Sequence, residues 1–309
     1  MSRSVLPLVL GSLILPLGCG GDDNPTGSNS IGIQPSEFCR DHPDAAIVTF
    51  EDAGLAAAVR SALSVGAEDL SCGLVSGLTV LDASSAGITS LVGIQNLTGL
   101  TDLQMDNNSI ADLDALGGLT SLRDIDLRIN SITDLSALSG LTSLTDLQLD
   151  NNSITDLSAL SGLTSLTDLR LPHNSVTDIS ALSGLTSLTH LELLSNSISE
   201  LSPLSGLTSL TRLELHLNLL TDISPLSGLT SLTELFLSEN SITDISALGG
   251  LTNLMALALN TNPNLSDIQP LLDNTGLGAG DTVGLQSTSV SCTDLAALGA
   301  KGVSVISDC

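Results

Sequence analysis

From Leu78 onward the apolar positions recur in a fixed 22-residue order, L-x-x-L-x-L-x-x-N-x-I-x-D-L-S-x-L-x-G-L-T-S, through nine consecutive units. The units begin at Leu78, Leu100, Leu122, Leu144, Leu166, Leu188, Leu210, Leu232 and Leu254. In the unit at Leu144, Leu147 and Leu149 alternate with Asp146 and Gln148, which is the period-two pattern of a strand with one buried face. Ile154, Leu157 and Leu160 turn inward from the return path, and Ser158–Ala159–Leu160 reads as a short helical turn with Ser158 as its N-cap. Pro203 and Pro225 directly follow Ser202 and Ser224, where proline suits a first helical position. A repeat of this length predicts a solenoid: one coil and one strand per unit, with successive strands stacked in parallel about 4.8 Å apart.

Two polar columns run through the same units. Asn108, Asn130, Asn152, Asn174, Asn196, Asn218, Asn240 and Asn262 place an inward amide where each coil leaves its strand, and a buried amide there has to pair with the backbone of the turn. Asp112, Asp134, Asp156, Asp178, Glu200, Asp222 and Asp244 read as rim carboxylates that accept backbone N–H bonds before the outer turn. A calcium stripe is the alternative for acidic columns, but no D-x-D-x-D-G loop supplies converging oxygens.

The ends of a solenoid need covers. Phe50, Leu55, Ala58, Val59 and Leu63 lie at near-helical spacing and predict a helical N-terminal cap over residues 44–77. Residues 276–309 alternate short apolar runs around Asp294–Leu298 and predict a strand, short helix and strand. Setting Cys19 aside, the cysteines are Cys39, Cys72, Cys292 and Cys309, which allow three pairings. Cys39–Cys72 and Cys292–Cys309 are expected, because crossed pairs would have to span the array, beyond a disulfide's reach.

Met1-Ser2-Arg3-Ser4, the apolar run Val5–Leu17 and an abrupt switch to Gly and Asp after Cys19 have the layout of a secretion signal. Leu15-Pro16-Leu17-Gly18-Cys19 resembles the lipobox of bacterial lipoproteins, with Pro16 where that family has leucine. The resemblance implies lipidation at Cys19, membrane attachment through that residue alone, and, with Gly20 after the cysteine, sorting to the outer membrane. An ordinary signal peptide with a stray cysteine is the alternative; either implies export. The expected organisation is a signal peptide over 1–18, a flexible tether over 19–43, the cap over 44–77, nine repeats over 78–275 and the second cap over 276–309.

The repeat is a leucine-rich repeat, and L-T-D-I-S-P-L at Leu220–Leu226 carries its resemblance to the bacterial internalin type. V-T-F-E-D-A-G-L-A-A-A-V-R at Val48–Arg60 is similar to the cap that precedes such repeats in bacterial surface proteins. The resemblance implies an α/β solenoid: a right-handed leucine-rich repeat horseshoe with a parallel concave β-sheet, short 3-10 or helical turns on the convex side, and caps at both ends. It also implies an extracellular module that binds a protein or peptide on the concave sheet.

The framework is almost constant, G-L-T-S-L-T recurring five times between Gly140 and Thr233, whereas the outward strand positions vary. Early units are acidic there, with Asp102, Asp106, Asp124, Asp126, Asp146 and Asp150 around Arg123 and Arg128. Later units present Arg170, His173, His190, Leu194, Arg212, His216, Leu217 and Phe236 beside Glu192, Glu214, Glu234 and Glu239. Arginine, aromatic and leucine groups on an open sheet have the composition of an interface core, so these eight residues are the candidate ligand-binding set. Drift among exposed positions is the bland alternative.

Composition narrows the partner. The chain carries 34 acidic residues against eight Lys plus Arg, a net charge of −26. That balance disfavours nucleic acid, which needs a basic stripe, and favours basic protein patches or cations. There is no Trp or Tyr and only three Phe, so sugar-stacking platforms are missing. No nucleophile motif, metal-ligand spacing or cofactor signature is present, so neither an enzyme nor a cofactor is expected, and the chain is expected to be monomeric. A spacer on the envelope with no dedicated ligand remains the second reading, and a calcium-dependent adhesion module the third.

Overall fold

The computed structural model of the protein describes residues 32–66 and 70–309. The signal-peptide expectation and Cys19 lie outside the described residues. Eleven short strands form one parallel sheet in strict chain order. They are β1 (Val80–Asp82), β2 (Asp102–Gln104), β3 (Asp124–Asp126), β4 (Asp146–Gln148), β5 (Asp168–Arg170), β6 (His190–Glu192), β7 (Arg212–Glu214), β8 (Glu234–Phe236), β9 (Ala256–Ala258), β10 (Thr282–Gly284) and β11 (Ser304–Ile306). The coils form a right-handed horseshoe with this sheet as its concave wall. Nine strands come from the repeats; β10 and β11, with a helix between them, continue the same sheet through the C-terminal segment.

Leucine fills the core because each coil contributes the same inward columns. Leu144, Leu147, Leu149, Ile154, Leu157, Leu160 and Leu163 are each at most 1% exposed, and their counterparts in neighbouring coils stack directly on them. Burial of this apolar surface is the main force holding one coil to the next.

The asparagine column pairs as a buried amide must. Asn152 donates to the Leu127 and Leu149 carbonyls at 3.0 Å each, and its Oδ1 accepts the Ile132 N–H at 2.9 Å. The same triple pattern runs from Asn108 to Asn262, so each amide joins its own turn to the preceding coil. The residue just before each of these asparagines, from Asn107 to Thr261, is left-handed with φ between 53° and 56°. A second ladder edges the sheet. Thr145, Thr167, Thr189, Thr211 and Thr233 each donate Oγ1 to the carbonyl 22 residues earlier.

On the convex side each coil makes a short 3-10 turn, such as Ser158–Leu160. The rim carboxylates cap these turns: the Ser136, Ser158, Ser180, Ser224 and Ser246 N–H groups donate to Asp134, Asp156, Asp178, Asp222 and Asp244 at 2.8 Å. The expected N-cap role of Ser158 is therefore corrected. Leu157 occupies the capping position without a side-chain bond, and Ser158 is the capped residue. Asp156, two residues upstream, reaches the Ser158 N–H with a charged acceptor, which suits the start of a turn.

The N-terminal cap contains α1 (Ala53–Ala62) and α2 (Cys72–Val75). Asp52 caps α1 through the Gly54 and Leu55 N–H groups and also accepts the Thr89 N–H, tying the helix to the first coil. The tether expected through residue 43 is shortened by the structure. Ile33 is buried, its N–H donates to Ile47, and the Gln95 and Asn96 amides hold the Pro35 and Glu37 carbonyls. Residues 32–43 are thus packed onto the cap, where the Cys39–Cys72 disulfide retains them.

At the other end α3 (Gln269–Asp273) and α4 (Cys292–Ala300) cover the core, and Cys292–Cys309 closes the terminus. Lys301, the only lysine of the chain, donates to the Leu271, Leu272 and Asn274 carbonyls at the C-terminal end of α3. A cation there satisfies orphan carbonyls and opposes the helix dipole.

Asn152→Ala would leave the Ile132 N–H and two carbonyls buried without partners. We expect a loss of about 2–4 kcal/mol in urea unfolding at unchanged m-value. A loss near zero would show that the ladder does not support the array.

Candidate functional site

Parallel in-register pairing converts the 22-residue repeat into straight columns across the concave face. One column runs Asp102, Asp124, Asp146, Asp168, His190, Arg212, Glu234, Ala256, and the next runs Gln104, Asp126, Gln148, Arg170, Glu192, Glu214, Phe236, Ala258. Like charges directly opposite on neighbouring strands repel. Amides relieve part of this repulsion: Gln104 donates to both Asp102 and Asp124 at 3.0 Å, and Gln148 donates to Asp146 at 3.1 Å.

Burial nevertheless raises the Asp124 carboxyl above its ordinary value, with Asp146 and Asp102 adding to the rise. Burial likewise raises Asp146, against the opposing bond from Gln148. Asp126, 2% exposed, is held by the Arg128 guanidinium through Nε at 2.9 Å and Nη2 at 2.6 Å. Arg123 stands outside these columns, in the edge position that threonine fills in most coils.

In the later coils the structure brings three of the candidate residues into one cluster. Arg212 bonds Glu214 and Glu234 and lies 5.1 Å from the Phe236 ring centroid. His216 meets Phe236 edge-on at 5.8 Å and approaches Glu214 at 3.4 Å. Hydrogen bonds from His216, foremost, and from Arg212 hold the Glu214 carboxyl below its ordinary value.

Arg170 is paired separately, with Asp168 at 2.9 Å and Glu192 at 3.8 Å. His190 stands between Asp168 and Arg212 in its column, with Nδ1 3.0 Å from the Thr189 hydroxyl. Leu194 is half-buried on the coil before His216. His173 and Leu217 lie apart from the strand face: both occupy the left-handed rim position, and Leu217 is 42% exposed.

The exposed apolar side chains outside the expected set include Leu219, Met255 and Ile129, at 60%, 61% and 50% exposure. Each breaks a column of the repeat, so the signal was available in sequence. Leu219 replaces a serine, Met255 a threonine, and Ile129 stands between Asn107 and Asn151. Among the described residues, no three His, Cys, Asp or Glu side chains converge as a metal site.

One strand per coil, a fully paired asparagine ladder and leucine columns define a leucine-rich repeat protein. The leucine rich repeat family model matches residues 98–154 and 120–176, and a two-copy leucine rich repeats model matches 164–205 and 230–273. Internalin C2 of Listeria monocytogenes is 36% identical over 69% of this chain and 97% of its own, with a TM-score of 0.66. An internalin F structure from the same species is 28% identical over 84% of this chain and 90% of its own, with a TM-score of 0.65. The functional domain of Listeria monocytogenes InlJ, which includes a cysteine ladder, is 27% identical over 83% of this chain and 59% of its own, with a TM-score of 0.67. No curated protein matches the chain in sequence. The chain belongs to the internalin-type leucine-rich repeat proteins.

The raised Asp146 carboxyl carries a testable sign. Its ionised form is disfavoured in the fold, so it destabilises above its folded pKa, and that penalty disappears as pH falls toward the ordinary 3.8. Asp146→Asn, which keeps the oxygen that accepts from Gln148, should therefore raise the thermal midpoint at neutral pH. The gain should vanish below pH 3.8. A gain that persists at acid pH would refute the electrostatic origin.

Proposed function

We propose that the protein is an exported, lipid-anchored module that binds a protein or peptide on its concave sheet, centred on the later coils. The observation that carries this reading is the Arg212–Phe236–His216 cluster on an open sheet, bordered by the exposed Leu217 and Leu219. An arginine over an aromatic ring, already oriented by two carboxylates, presents a rigid surface that loses little side-chain entropy on binding. Surrounding apolar groups supply the contact area that excludes water from such a centre.

Membership of the internalin type supports a binding scaffold rather than an enzyme. Two disulfides support export to an oxidising compartment. Attachment through a lipidated Cys19, placement in the bacterial envelope and a monomeric state belong to the same proposal. The sequence around Cys19 supports the first of these.

Replacing Leu194, Leu217 and Phe236 together by Asp should abolish capture of the native partner in cross-linking from intact cells, with the circular dichroism of the array retained. Unchanged capture by that variant would remove the site from the later coils. Cys19→Ser should move the protein from the membrane fraction to the soluble fraction; retention at the membrane would exclude the lipid anchor.

A further inference from the structure

Backbone groups of β11 alternate between its one neighbour and open space. The Ser304 N–H donates to the Asp281 carbonyl and the Ile306 carbonyl accepts from the Leu285 N–H, both at 2.8 Å. Ser304 and Ile306 therefore turn their peptide groups toward β10, and Val305 between them turns its N–H and C=O the other way. No strand lies on that side among the described residues. An edge of this kind is a template for another strand, and proteins blunt it with charge, proline or a cover. β1, at the other end, carries the exposed Asp82 on its edge. From Val303 to Ser307 the edge has neither a charge nor a proline, and Ile306 is 48% exposed on the concave side.

Charge and symmetry fit this edge to a second copy of the chain. At a net charge of −26 two copies repel, and an uncharged run lets them meet with little of that repulsion. With β11 antiparallel to its equivalent and Val305 on the two-fold axis, each Val305 N–H meets the other's C=O, so the open groups of both copies pair at once. The same register sets Ile306 of each copy against Ser304 of the other on the concave side. It also carries Asp308 of one copy toward Lys301 of the other, the chain's sole lysine.

We propose that two copies of the protein join end to end through β11, antiparallel about Val305, making one continuous sheet whose concave faces lie on the same side. The contact is small, so dilute copies stay monomeric and pair where a surface crowds them. The Arg212–Phe236–His216 cluster, at β7 and β8, stays open in the pair. A pair therefore presents two such clusters to one partner, which raises avidity without any new contact in either copy.

The test is sedimentation equilibrium of the full chain from micromolar to millimolar concentration. The average mass should rise toward that of a pair. Val305→Pro removes only an N–H that faces away from β10, as proline on a sheet edge can. It should weaken pairing about tenfold, the order of two lost backbone bonds, with the thermal midpoint unchanged. Ile306→Asp should weaken pairing to a similar degree. Adding Ser304→Lys to it should restore pairing, because the two new charges face each other across the two-fold axis.

A single copy at every concentration would overturn the proposal, as would a double variant that does not recover. So would pairing that survives Val305→Pro. Should Val305→Pro also lower the midpoint, the Ile306→Asp and Ser304→Lys variants decide. Loss of native capture by Val305→Pro in a chain that never pairs would assign the edge to a foreign strand and overturn the proposal too. Pairing kept by Val305→Pro and abolished in the Leu194/Leu217/Phe236 variant would move the contact to the concave site. Failure of pairing alone leaves concave binding standing.

Discussion

A buried amide cannot be left unpaired, and this constraint organises the whole array. Each ladder asparagine has one acceptor and one donor group facing the interior, and both find backbone partners only when two successive coils are in register. Leucine burial drives the coils together but is indifferent to a small slip. The asparagine ladder is not, because a slipped coil would strand several polar groups in an apolar core. Strand register, rim conformation and the straight columns of the concave face all follow from that requirement.

Straight columns have an electrostatic price. Because every coil repeats the same geometry, a charge placed at one position faces the same position of its neighbours about 4.8 Å away. In the early coils the column is all aspartate, relieved partly by glutamine amides. In the later coils His190 and Arg212 interrupt it, and ion pairs form across strands, as between Arg212 and Glu234. The two halves thus present different surfaces on one backbone. The early half is rich in unneutralised carboxylates, and the later half is a neutralised cluster organised around an aromatic ring.

Much of the fold was legible in sequence because its determinants are periodic. Leucine alternation, the asparagine column and the separation of the cysteines into two terminal pairs led to the sheet, the ladder and both disulfides. What sequence reasoning missed depends on distances between chemically plausible partners. Ser158 and Asp156 both suit a helix start, and only the geometry shows that the aspartate reaches the N–H. Residues 32–43 look like linker by composition, yet amides from Gln95 and Asn96, far away in the chain, hold them down.

The eight candidate residues were found by their departure from the repeat, which locates variable positions but not their orientation. His173 and Leu217 therefore turned out to lie on the rim, not on the strand face. The contacts among Arg212, His216 and Phe236 follow only once the register is known.

The two disulfides acquire a further meaning from the one-dimensional build of the array. A coil in the middle is held by two neighbours and a terminal coil by one, so a stack of this kind melts by fraying from its ends. Cys39–Cys72 and Cys292–Cys309 close those two ends and no others. The molecule is a zipper with a clasp at each tip: each bond lies within a terminal cap and holds together the unit from which fraying would start. Reduction would return it to unzipping from its tips.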